Sequence, residues 1–178
     1  MVNIRTERAE DREAIRSVTA AAFRGADRHA PSAEPGGDPG EAVLVGWLRE
    51  DVGWIPGLSL VAVEDGLVVG HVVATRASVG ELPVLGLGPL SVHPDRQGSG
   101  IGSALMHAVL GAAEARGEAL VGLLGEPAYY SRFGFVPAAS TGVIGPDPSW
   151  GDYFQVRTLT AFDDHTGRFR YAAPFDRL

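Results

Sequence analysis

The chain has 178 residues, 45% of them hydrophobic, and a formal net charge of −7. That length suits one domain with a sizeable core, and the acidic balance argues against general nucleic-acid binding. It fits cationic partners such as amines, or simply a solvated acidic surface. With no cysteine, disulfides, thiolate metal sites and an acyl-cysteine intermediate are excluded. No apolar run approaches the length of a membrane span. Met1 to Arg5 leads straight into a strand-like pattern and does not read as a signal peptide, so a cytoplasmic location is the default expectation.

Val2, Ile4 and Thr6 alternate with polar residues and predict a first strand over 2–7. Residues 11–23 carry Ala14, Ile15, Val18, Ala21 and Ala22 at helical spacing. Acids cluster at the start of this helix and Gly25 closes it. Residues 25–40 are rich in Gly, Pro, Ala and Asp and predict a long loop, a mobile lid or a disordered segment. A short helix follows over 41–50, with Val43, Leu44, Trp47 and Leu48 on one side. Two apolar, β-branched runs, 58–63 and 67–75, flank Glu64-Asp65-Gly66 and predict a hairpin. Residues 82–92 form another strand, interrupted by Gly86, Gly88 and Pro89. Proline cannot donate to an unbroken ladder, so a bulge is expected there.

Residues 100–116 predict a helix with Ile101, Ala104, Leu105, Ala108, Val109 and Ala112 as its core stripe. Arg116 and Gly117 end it. A buried strand over 119–124, a short helix over 128–133, a strand starting at Phe135-Val136 and late strands over 150–159 and 168–171 complete the order. The pattern fits a single mixed α/β layer fold over 1–178.

The stretch from the end of the fourth strand-like run into the long helix carries the most chemistry. In Leu90-Ser91-Val92-His93-Pro94-Asp95-Arg96-Gln97-Gly98-Ser99-Gly100-Ile101-Gly102-Ser103, three glycines leave the backbone open to close approach. The helix behind them begins with unpaired N–H donors and a partial positive charge. Together these make an anion site suited to a diphosphate. A P-loop is excluded because the chain has no lysine, all 15 basic residues being arginine. The dinucleotide fingerprint would follow the first strand and does not match this position.

Gln97-x-x-Gly100-x-Gly102 resembles the Q/R-x-x-G-x-G/A signature of the GCN-type N-acetyltransferases, the GNAT superfamily. Ala128-Tyr129-Tyr130-Ser131-Arg132-Phe133-Gly134-Phe135 is similar to that family's aromatic segment before a terminal G-F. The gap between the motifs holds one helix and one strand, as the family requires. The likeness covers roughly 2–137, leaving a less typical part over 138–178. It is nearest to small bacterial members with a G-E/D-P-A-Y-Y segment. The resemblance implies a central, mostly antiparallel sheet with a splayed pair of parallel strands and helices on both faces. It further implies acetyl-CoA as cosubstrate, its pantetheine arm entering the splay.

The implied reaction is direct transfer of acetyl to an amine within a ternary complex. The resemblance assigns the diphosphate to Gln97, Gly98, Ser99, Gly100, Ile101, Gly102 and Ser103. It assigns thioester polarisation to the strand end Leu90, Ser91 and Val92, with a backbone N–H of Val92 or Leu90 as donor. Tyr130 matches the family's general acid toward the CoA thiolate, and Tyr129 is expected to pack. Arg132 takes a family lysine position, where it would approach the cosubstrate or cap the helix. Glu126 is a candidate general base, acting directly or through water, against the simpler reading of a loop acid before Pro127. Glu81 and His93 are weaker candidates. His29, His71, His107 and His165 show no metal-triad spacing, so no metal is expected. The acceptor is expected to be a small-molecule amine or a protein amine, near the 25–40 loop, with no nucleic acid or membrane partner. A homodimer is compatible with the family. The alternatives are a non-catalytic acyl-CoA-binding sensor on the same fold and, further off, a nucleotide-binding module.

Overall fold

A computed structural model describes all residues, Met1–Leu178. Its strands are β1 (Val2–Thr6), β2 (Ser59–Glu64), β3 (Leu67–Val79), β4 (Leu82–Val92), β5 (Leu120–Leu124), β6 (Val136–Pro137), β7 (Val143–Ile144), β8 (Phe154–Thr158) and β9 (Gly167–Arg170). The helices are α1 (Arg12–Arg24), α2 (Gly40–Arg49), α3 (Ile101–Ala115) and the single turn α4 (Pro127–Tyr130). The sheet runs β1-β2-β3-β4-β5-β8-β6, with β9 joining the far end of β3 and β7 joining β9. Along that path every pair is antiparallel except β4 with β5. Short β7 also lies parallel to β9. This is the mixed layer fold expected from the pattern.

Period-two alternation sorts the sheet into two faces. Leu60, Ala62, Val72, Ala74, Leu85, Leu87, Val121 and Leu123 meet the α3 stripe of Ile101, Leu105, Met106 and Val109. On the opposite face Val61 meets Ile15 of α1 and Val45 of α2. Val73 meets Leu44 and Leu48. Farther along that face, Phe154 and Phe169 fill a second core with Val79, Val84, Leu120 and Val156.

The hairpin between β2 and β3 turns at Asp65 and Gly66, both with positive φ (50° and 81°), as a two-residue Asp-Gly connection requires. Between the Val72–Leu90 and Ala74–Leu87 pairs, β4 carries one residue more than β3. The expected bulge therefore falls on Gly88-Pro89. Three late elements differ from the sequence reading. Residues 150–153 are 3₁₀ turns rather than strand, because Asp147 caps this segment by accepting from the Ser149 N–H at 2.8 Å. β3 runs on to Val79, since Ser78 and Val79 find partners in β4 on one edge and β9 on the other. The two residues of β7 had no readable period.

The 25–40 segment is tied down at several points. Asp38 takes Arg16 at 2.8 Å and Arg24 at 2.5 Å, and Glu41 accepts the Ala30 N–H at 2.5 Å. No helix is long and apolar enough to cross a membrane.

A polar cluster is buried beneath α1 and α2. Glu7 is paired with Arg49 at 2.7 Å, accepts from the Ser59 hydroxyl, and lies 3.5 Å from His71 Nε2. Burial alone would raise the Glu7 carboxyl, but hydrogen bonds from His71, Arg49 and Ser59 outweigh it and hold it at about 2. Burial also pushes His71 below its ordinary value, against the opposing pull of Glu7. Both groups have lower values folded than unfolded, so both stabilise the fold above their unfolded values and lose that contribution on acidification. Stability should fall first below the ordinary histidine value of 6.5, then from 4.5 down to about 2 as Glu7 protonates. Glu7→Gln should remove the lower step in urea-unfolding curves taken across pH. An unchanged lower step would assign it to other carboxylates.

Candidate active site

β4 and β5 pair only at Leu85–Val121 and Gly86–Gly122. Beyond Gly86 and Gly122 the two strands part, while β4 stays on β3 as far as Val92. The His93 N–H donates to the Val69 carbonyl at 2.9 Å. Alternation along an antiparallel strand then turns the N–H groups of Leu90 and Val92 away from β3, toward the opening. On the other wall, the Gly125 N–H donates to the Tyr153 carbonyl at 2.9 Å. By the same rule the Leu124 N–H faces the opening. The fork is thus lined by backbone donors that the sheet does not use.

At the open end of β4, Pro94–Arg96 makes a 3₁₀ turn and Gly98 and Gly100 follow with φ of 76° and 87°. Left-handed backbone suits glycine at both positions. An added Cβ at either would meet nothing within 4 Å, so the loop faces open space. Gln97 Nε2 donates to the Val92 carbonyl at 3.2 Å, and the Ser99 hydroxyl donates to the Arg96 carbonyl at 2.5 Å. These bonds pin the loop so that the first N–H groups of α3 point outward.

A cavity of about 380 Å³ lies over this loop. Of the expected diphosphate and strand-end residues, Leu90, Ser91, Val92, Gln97, Gly98, Gly100, Gly102 and Ser103 line it. Ser99 is turned onto Arg96, and the Ile101 side chain is buried in the core. The lining also includes Ala22, Phe23 and Ala26 at the end of α1, Arg96, and Tyr129. None of these five was expected at the site. The small residues at the end of α1 were the available signal, since they let that helix end stand close to β4. Thr19 of α1 shares a 3.1 Å hydrogen bond with Ser91 and fixes that approach.

The two tyrosines of α4 touch edge to face but reach different glycines. Tyr129, expected to pack, has its hydroxyl near Gly102, where an added Cβ would stand 2.8 Å from it. Burial raises its phenol, and the Ser103 hydroxyl pulls the other way. Arg132 donates to the Tyr129 carbonyl at 2.9 Å and lies over its ring at 4.7 Å, so it caps the helix. Tyr130 stands edge-on to Tyr129, ring centroids 4.9 Å apart, with its own ring against Gly125 and edge-on to Phe135. Burial pushes its phenol well above the ordinary value, with Tyr129 adding to the shift. Glu126 is exposed, and its carbonyl accepts the N–H groups of Tyr129 and Tyr130 at 3.0 and 3.1 Å. His93 takes the Asp95 N–H at 3.3 Å and serves the turn. No three His, Asp or Glu side chains gather as a metal site would need.

A parallel pair forked beside a Gly-rich turn and a helix N-terminus defines an acyltransferase architecture. Residues 56–137 match the model of the acetyltransferase (GNAT) domain. The chain is 38% identical over 143 residues to YjhQ of Escherichia coli K12, an uncharacterized N-acetyltransferase, covering 75% of this chain and 79% of YjhQ. It is 39% identical to YhbS of the same organism, covering 78% and 84%. The crystal structure of Escherichia coli YhbS in complex with CoA superimposes with a TM-score of 0.85, at 32% identity, over 99% of this chain and 93% of that one. A GNAT acetyltransferase from Brucella melitensis in complex with acetyl-CoA gives 0.77 at 35% identity, over 99% of both chains. The chain belongs to the GNAT acetyltransferase family.

Proposed function

We propose that the whole chain, 1–178, is one N-acetyltransferase unit that moves acetyl from acetyl-CoA directly to an amine. The fork carries this reading, because it leaves the Leu90 and Val92 N–H groups of β4 unspent by the sheet beside the cavity. The CoA-bound YhbS and acetyl-CoA-bound Brucella structures support acetyl-CoA as the cosubstrate. The diphosphate would rest on the N–H groups of the 97–103 loop and the start of α3, with Ser103 and Arg96 beside it. The N–H of Leu90 or Val92 would face the thioester carbonyl and stabilise the charge developing on its oxygen.

The amine nitrogen attacks the carbonyl carbon, a C–N bond forms, the C–S bond breaks, and sulfur leaves as thiolate. Tyr130 gives its proton to that sulfur. In water this step is uphill by roughly 2 kcal/mol, from a phenol near 10 and a thiol near 8.5. In the fork the thiolate is desolvated and becomes a stronger base, as the buried phenolate does, so the gap does not widen. Glu126, at the mouth before α4, takes the ammonium proton through water.

Two pH results follow. Tyr130 stays protonated through the alkaline range, because burial raises it. Turnover should therefore climb as the amine loses its proton and show no falling limb below about pH 10. Glu126→Gln should lower turnover about 10-fold at neutral pH and leave acetyl-CoA affinity unchanged. Equal turnover in that variant would return Glu126 to a surface loop acid. The experiment that tests the function is calorimetry with acetyl-CoA, followed by thiol release with polyamine, aminoglycoside and peptide pools. Failure to bind acetyl-CoA would overturn the reading. Binding without turnover on any pool would favour an acyl-CoA sensor.

A further inference from the structure

A second cavity, of about 240 Å³, shares no lining residue with the one over the Gly-rich turn. It lies where the turn after β1 meets the end of α2, and its walls include Glu7, Arg8, Arg12, Arg49, Trp54 and Pro56. Of these only Pro56 falls inside the matched family region, 56–137. Three guanidiniums and one carboxylate line it, so it is cationic in a chain whose net charge is −7. The carboxylate is already spent. Glu7 takes Arg49 Nε at 2.7 Å and Nη2 at 3.3 Å, and also accepts from the Ser59 hydroxyl. This pair is nearly buried, the Arg49 side chain 13% exposed and Glu7 9%. Arg49 Nη1 has no protein partner, yet it is not sealed in the core. The guanidinium also lies over the Trp54 ring, 5.8 Å from its centroid.

A guanidinium presents five N–H donors in one rigid plane and can chelate an oxyanion along more than one edge. Glu7 occupies one edge of Arg49 and fixes the plane. Fold stability accounts for that edge; the Nη1 edge is held just as rigidly without serving the fold. Arg12 pairs with no carboxylate. Arg8 meets only Glu10, at 3.6 Å, in an exposed pair that is worth little. Both therefore keep charge to offer at the rim, while Trp54 and Pro56 supply an apolar wall. We propose that this cavity binds a small molecule carrying a phosphate or carboxylate on a flat apolar body. The oxyanion takes the free edge of Arg49, with Arg8 and Arg12 balancing its charge, and the body lies against Trp54 and Pro56. The proposal does not depend on the acetyl-CoA reading above.

Calorimetry of the full chain with phenyl phosphate and with benzoate tests it. Saturable binding is expected, and the tighter probe tells phosphate from carboxylate. The double variant Arg8→Gln/Arg12→Gln changes two exposed side chains. It should weaken probe binding about 10-fold and leave acetyl-CoA affinity unchanged. Sodium chloride should weaken wild-type binding, because exposed charges carry part of it. Gly100→Val obstructs the other cavity and should leave probe binding as it is. A melting temperature for each variant separates loss of fold from loss of the site. Absence of saturable binding with both probes overturns the proposal. So does binding undiminished in the folded double variant. Binding that disappears in folded Gly100→Val also overturns it, since the probe would then sit over the Gly-rich turn. A chain that binds the probe at the arginines but not acetyl-CoA overturns the functional reading alone and leaves this site standing.

Discussion

Tyr130→Phe should cut acetyl transfer by about 100- to 1,000-fold while acetyl-CoA binds as tightly as before. The substitution removes one oxygen and keeps the ring that packs on Gly125 and Phe135, so the local structure has no reason to move. In the proposed mechanism what is lost is the proton for the departing sulfur, an interaction made only as the C–S bond breaks. A loss confined to the transition state lowers kcat and kcat/KM together and leaves ground-state binding alone. Thiol release under saturating acetyl-CoA, beside calorimetry on the same preparation, separates the two quantities. Undiminished turnover in the phenylalanine variant would move the acid elsewhere, with Tyr129 the next phenol to test. Weaker binding with intact turnover would make Tyr130 a wall of the pantetheine channel.

Gly100→Val should have the opposite signature and weaken binding rather than chemistry. Gly100 stands at φ 87°, the residue before α3. A β-branched residue there is a conformational outlier, and holding one costs of order 1–3 kcal/mol. Its side chain would also project into the open space over the loop, where nothing lies within 4 Å. In the proposed binding mode that is the space a diphosphate needs to reach the first N–H groups of the helix. We expect acetyl-CoA affinity to fall about 100-fold, equivalent to about 2.7 kcal/mol, with a smaller drop in melting temperature. Unchanged affinity would show that the diphosphate does not use this turn. Because Gly100→Val acts at the cradle and Tyr130→Phe at the fork, their effects on separate steps should be independent.

Much of this molecule was readable in sequence order. The Asp65-Gly66 hairpin, the break at Gly88-Pro89, the Gly98–Gly102 turn and the stripes of α1 and α3 are local features. Each is written in residues a few positions apart through backbone sterics, hydrogen-bonding capacity and hydrophobic period. The family likeness rests on the same local motifs. The late chain was less legible because its elements are short and take their form from distant partners. β9 exists as the edge partner of β3, and residues 150–153 coil because Asp147 caps them.

The sequence by itself determined most elements, their order and the groups at hand: a Gly-rich turn before a helix, a pair of tyrosines and no thiol. Only the tertiary structure decided which groups meet. The Tyr129 hydroxyl reaches Gly102 and the Tyr130 ring lies on Gly125, because successive residues on a helical turn point about 100° apart and the direction of each depends on how α4 is seated. The end of α1 closes the cavity because Thr19 meets Ser91 across 72 positions of chain. The fork opens at Gly86 and Gly122, where rings arriving from Tyr171 and Phe169 occupy the space that side chains at those positions would fill. Such contacts depend on packing between residues far apart in the chain, which no local period records.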